Sequence, residues 1–103
     1  MLKLLRKKQE KKNLKNMLKS ELDEYLMDEN PDALFADGFD EAILGYTQRM
    51  NQPPIVAYSV DKIIKILVER DGMTYEEAME YFDYNIGGGW LGEGTPMWIR
   101  NEF

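Results

Sequence analysis

The chain contains neither cysteine nor histidine. Those absences remove disulfides, thiol nucleophiles, thiolate or imidazole metal sites, and histidine as a general base. The lack of cysteine fits a reducing compartment, and the expectation is a cytoplasmic protein. Long apolar runs are also missing: no stretch approaches the roughly 18 uncharged residues that a membrane span needs, so no membrane partner is expected. The basic start Met1-Leu2-Lys3-Leu4-Leu5-Arg6-Lys7-Lys8 has no apolar core and no small-residue cleavage site behind it, and so does not read as a signal peptide. What remains is 103 residues with 44% hydrophobic and 12% aromatic content, enough for one globular domain with at most an appended helix.

The net charge of -6 hides two opposite halves. Residues 1–20 carry Lys3, Arg6, Lys7, Lys8, Lys11, Lys12, Lys15 and Lys19 against Glu10 alone, a balance of +7. The remainder holds five basic and eighteen acidic residues, a balance of -13. This asymmetry predicts two units: a basic N-terminal helical arm over residues 1–29, and a small acidic α+β domain over residues 30–103. The arm lacks Gly and Pro, and Leu14, Leu18, Leu22, Tyr25 and Leu26 fall on one face at a 3.6-residue period. Acidic residues crowd from Glu21 to Glu29, where the helix dipole would favour cations. The helix must therefore be held by packing of its second half.

Within the body, Asn30-Pro31 marks a boundary, with Asn30 placed to cap a short following turn of helix. Phe35, Phe39, Ala42, Ile43, Tyr46 and Met50 then form a helical stripe, and Asp37 with Asp40 resembles an N-cap pair. The spacing predicts a helix over about residues 38–50. Asn51-Gln52-Pro53-Pro54 reads as a turn or extended linker, and Ile55 to Val60 as a buried strand. Asp61 is expected to cap a helix ended by Asp71-Gly72. Thr74-Tyr75-Glu76-Glu77 is a capping box flanked by the staple positions Met73 and Ala78. The helix it opens should turn Ala78, Met79, Phe82 and Ile86 inward and stop at Gly87-Gly88-Gly89. Thr95 to Arg100 predicts a last strand. The expected architecture is α+β, with about four helices on a short two-stranded antiparallel sheet and a basic helix in front.

Each candidate site in the chain also has a plainer explanation. Gly87-Gly88-Gly89-Trp90-Leu91-Gly92 matches G-x-G-x-x-G literally, but the dinucleotide motif needs a strand before and a helix after, and neither is predicted. The triplet reads instead as a sharp turn that folds Trp90 back over the core. Glu76, Glu80 and Asp83 share a helix face and could attract only a hard cation; a solvated face is the better reading, and no metal or cofactor is expected. The basic arm could contact phosphates with steep salt dependence, yet it has no aromatic residue before Tyr25 for base stacking. Aromatic residues gather in the C-terminal third, and a domain this small buries only about 60% of its surface. Trp90, Glu93, Met97, Trp98, Tyr81 and Tyr84 are therefore the candidate partner-binding residues. No catalytic residue is assigned.

One resemblance adds context. Asp71-Gly72-Met73-Thr74-Tyr75-Glu76-Glu77-Ala78, with Asn85, Gly88, Trp90, Gly92-Glu93 and Thr95-Pro96, resembles a family of small proteins encoded in bacteriophage genomes. Asp37-Gly38-Phe39-Asp40-Glu41-Ala42-Ile43, Val56-Ala57-Tyr58 and Ile64 to Arg70 continue the likeness, which spans about residues 36–99 and omits the arm. The triple glycine departs from it, because bulkier residues precede the tryptophan in that pattern. The family has no assigned activity, so the resemblance implies only expression in the cytoplasm of a bacterial host during infection. Together these readings favour a non-catalytic protein-binding module, an accessory or host-takeover factor that binds, and in its sharpest form inhibits, a host or defence protein. A nucleic-acid-associated protein using the arm is the alternative, and a carboxylate metal enzyme a distant third. A homo-oligomer is compatible with all three.

Overall fold

Leu22 and Leu26 are both buried, on the inner side of a helix over residues 19–29 (α1). The computed structural model describes residues 19–100; of the basic arm only Lys19 falls among them, and the other seven cations lie outside the described residues. Leu22 and Leu26 belong to the same core cluster as Val56, Tyr58, Ile63, Leu67, Ala78 and Phe82. Helix α1 is thus an integral part of the domain's packing.

After α1 the chain departs from the expected helices. Asn30 caps no following helix. Its amide donates to the Leu26 carbonyl at 2.7 Å, and its buried side-chain Nδ2 donates to the Pro54 carbonyl at 2.9 Å. The predicted helix over 38–50 is a single 3-10 turn, Asp40–Ala42, followed by strand β1, Ile43–Thr47. Phe39, not Asp37, precedes the turn, and no side chain caps it.

The reason lies in the next strand, β2, Ile55–Ser59. Val56, Ala57, Tyr58 and Ser59 are all buried, so both of its edges need hydrogen-bond partners away from water. β1 supplies one edge antiparallel, with Tyr46 opposite Val56, Thr47 opposite Ile55, and a bulge between Ile43 and Gly45. Strand β3, Met97–Ile99, supplies the other in parallel, with Tyr58 opposite Trp98. The sheet is therefore three-stranded and mixed, in the order β1-β2-β3, where two antiparallel strands had been expected. A chain that leaves β2 through two helices returns to its far edge in the same direction.

Those two helices follow the sequence closely. Helix α2, Val60–Asp71, turns Ile63, Ile64 and Leu67 into the core. Its cap is Ser59, whose hydroxyl accepts from the Lys62 amide at 3.2 Å; Asp61 lies within the first turn. Gly72 ends it in the left-handed conformation, with the Met73 amide reaching back to the Leu67 carbonyl. Helix α3, Tyr75–Phe82, opens on the complete capping box: the Thr74 amide donates to Glu77 Oε1 at 2.9 Å, and the Glu77 amide donates to Thr74 Oγ1 at 3.1 Å. Ala78 and Phe82 are buried, with Met79 and Ile86 packed beside them. The last turn widens into a π-turn, Asp83–Gly87. The fold is α+β with three α-helices among the described residues.

Candidate functional site

Two glycines of the triplet, Gly87 and Gly88, are required by close approach, and none by an unusual turn, while a side chain on Gly89 would meet nothing. Neither Gly87, Gly88 nor Gly89 has a positive φ. A Cβ on Gly87 would come within 2.5 Å of the Phe82 ring, and one on Gly88 would collide with the Asp83 carbonyl oxygen. The consequence for Trp90 is the opposite of the expectation: it does not fold over the core but stands 74% exposed. Trp98 takes the core position instead. Its ring lies 5.3 Å from Tyr58 and meets Phe82 edge-on at 5.6 Å.

The loop from Gly88 to Pro96 is built around Thr95. Its hydroxyl donates to the Gly92 carbonyl at 2.7 Å and accepts from the Leu91 amide at 2.8 Å. The Gly94 carbonyl accepts from the Leu34 amide at 2.9 Å, which ties the loop to the segment after α1. Trp90 and Leu91, the latter 73% exposed, are therefore displayed from an internally bonded loop.

Facing this loop is the tip of the β1–β2 hairpin. Asn51 takes the left-handed conformation there, and the Gln52 amide donates to the Arg49 carbonyl at 3.0 Å. Between the two lies an open cleft of about 630 Å³. Trp90, Glu93, Met97 and Trp98 line it together, opposite Met50 and Pro53. Four of the six candidate residues are thus brought into one site. Tyr81 and Tyr84 are not among them; they line a separate notch of about 350 Å³ with Met73, Glu77, Glu80 and Asn85.

Arg49 and Met50 were not expected beside the cleft because the helix expected over 38–50 carried them elsewhere, and Gln52 and Pro53 because Asn51-Gln52-Pro53-Pro54 read only as a linker. The usable signal was Ile43 to Thr47 and Ile55 to Ser59, two β-prone runs flanking a turn sequence, which reads as a hairpin. The cleft offers aromatic and apolar surface with one guanidinium, Arg49, and one carboxylate, Glu93, at its margins. Such a lining suits the capture of a bulky side chain from another molecule.

Elsewhere, Glu76, Glu80 and Asp83 do not form a cation site. Among the described residues no group of three or more carboxylates stands where it could hold a metal ion, and Asp83 meets Arg100 at 3.4 Å. Asp40 lies 3.8 Å from Lys19. Among the described residues the one strongly displaced ionisation is deep in the core: burial pushes the Tyr58 hydroxyl up to about 12, against a partial offset from the Ala36 amide that donates to it. Tyr25 is also raised, chiefly by its hydrogen bond with Tyr46, whose ring lies 4.7 Å away. No helix among the described residues is long and apolar enough to cross a membrane. Comparison with protein-family models, with curated proteins and with solved structures finds no match for this chain.

Proposed function

We propose that this chain is a non-catalytic protein-binding module, an accessory or host-takeover factor of phage origin that acts in the cytoplasm of the infected bacterium. It captures a host or defence protein in the cleft between the β1–β2 hairpin and the Gly88–Pro96 loop. The observation that carries the reading is the exposure of Trp90 and Leu91 on a loop fixed by Thr95. Large apolar side chains held out by an ordered backbone lose little entropy on binding, and tryptophan dominates the energetics of many interfaces. The acidic body supports a protein partner over nucleic acid. Among the described residues six basic face seventeen acidic ones, a net of -11.

The test is capture from bacterial lysate with tagged full-length protein, using three forms: the parent chain, Trp90→Ala, and a variant with Lys7, Lys8, Lys11 and Lys12 all changed to Gln. A stoichiometric protein that survives nuclease, is lost from Trp90→Ala and is retained by the lysine variant supports the cleft. Recovery that vanishes with nuclease, or with the lysines alone, transfers the function to the basic arm and nucleic acid.

A further inference from the structure

At three places among the described residues a cation sits over an aromatic ring with a carboxylate at its side. Lys19 Nζ lies 4.9 Å from the centre of the Phe35 ring and 3.8 Å from Asp40. Arg70 stands 5.1 Å over Phe39 and forms a two-pronged pair with Asp71 at 2.9 and 3.0 Å. Arg100 stands 5.6 Å over Phe82 and 3.4 Å from Asp83. A ring face and a carboxylate together satisfy a guanidinium or ammonium better than either alone, since one attracts its charge and the other accepts its hydrogen bonds.

The same pair of chemistries recurs on the outer side of α3 and of the π-turn that continues it. Glu77, Glu80, Tyr81 and Tyr84 follow one another at i, i+3, i+4 and i+7, opposite the buried Ala78 and Phe82. With Met73 and Asn85 they line the 350 Å³ notch, and no lysine or arginine is among its lining residues. Tyr84 is 86% exposed. Arg70, close enough to Tyr81 to sense its hydroxyl, is already held by Asp71, by the Gly38 carbonyl at 2.7 Å and by Phe39.

We propose that this notch receives an arginine or lysine side chain from a basic segment of a protein partner. Tyr81 and Tyr84 provide ring surface and Met73 a soft apolar wall. Glu80 provides the counter-charge, while Glu77 is shared with the capping box at Thr74. The net negative charge of the surrounding body brings a basic segment in, and the rings decide where it rests. The notch is separate from the Trp90 cleft, and the inference does not depend on the reading of that cleft.

The test uses the full chain and a labelled Arg-Ser repeat peptide, with a Gln-Ser repeat as its neutral counterpart, read by fluorescence anisotropy at low and moderate salt. The expected result is binding of the Arg peptide alone. Tyr84→Ala and Glu80→Gln should each weaken it about threefold to fivefold, and Tyr84→Phe, which keeps the ring, should leave it within about twofold of the parent chain. The double variant Glu21→Gln/Asp23→Asn removes more charge at a distant place and should have the smaller effect. Loss that merely follows net charge, equal in the distant variant and in Glu80→Gln, overturns the proposal. So does indifference to Tyr84→Ala. Self-association in sedimentation that is abolished by Tyr84→Ala would also overturn it, assigning the notch to the lysine-rich segment of a second copy.

Discussion

Replacing Tyr58 by Phe removes a single oxygen from the centre of the sheet while keeping the ring. Tyr58 is fully buried, and its hydroxyl accepts the Ala36 amide at 2.6 Å. Its loss strands that N–H. A buried donor without a partner costs roughly 1–3 kcal/mol, and because Ala36 is only half-buried the lower part of that range applies, about 1–2 kcal/mol. For a domain of this size the melting temperature should fall by roughly 4–16 °C.

The same hydroxyl has a second signature at high pH. Its folded pKa is about 12, against about 10 in the unfolded chain. A group raised on folding contributes fully below its unfolded pKa and loses that contribution as pH climbs through the folded value. The parent chain should therefore lose about 1.4 kcal/mol by pH 11 and about 2.3 kcal/mol by pH 12 from this residue alone. Tyr58→Phe has no such loss, so the gap between the two proteins should close above pH 10 and then invert. Urea unfolding of both proteins at intervals from pH 8 to about pH 11.5 measures it. Equal stability at pH 8 would refute the role given to the Ala36 bond. A gap constant across the series would refute the burial argument.

Thr74→Ala removes one arm of the capping box and should cost about 1 kcal/mol, seen as a lower urea midpoint with an unchanged slope. Gly94→Ala should be far more damaging, because its Cβ would collide with the Asp32 backbone; tryptophan fluorescence and thermal melts should show a displaced loop or a loss of several degrees. Trp90→Ala, by contrast, should leave unfolding within about 0.5 kcal/mol of the parent chain, as its side chain is mostly in solvent. A large stability loss in that variant would mean that Trp90 packs in the fold rather than serving a partner.

Short-range chemistry was legible from the chain. Thr74 and Glu77 announced the start of α3, and Gly72 the end of α2, because caps depend on residues three or four positions apart. Ile55 to Val60 read as a buried strand from β-branched and aromatic content, of which Val60 instead opens α2, and Leu22 with Leu26 marked the packed face of α1. The grouping of Trp90, Glu93, Met97 and Trp98 came from proximity along the chain, and the structure places all four around one cleft. The separation of Tyr81 and Tyr84 into a second notch could not be read that way, since it depends on which side of α3 is covered.

The sequence by itself determined the caps, the buried strand, the charge asymmetry and the absence of thiol and imidazole chemistry. For Ile43 to Thr47 the local sequence supports two readings, a helical stripe and one arm of a hairpin, and packing chose between them. The spacing satisfies a helix, but β2 is buried on both faces and its edge amides and carbonyls demand strands on either side. The same demand recruits β3 in parallel, places Trp98 against Tyr58, and leaves Trp90 outside. Local propensity chooses between helix and strand by tenths of a kcal/mol. An unpaired buried edge costs more than that at every second residue, so the partner, and not the period, settled the outcome.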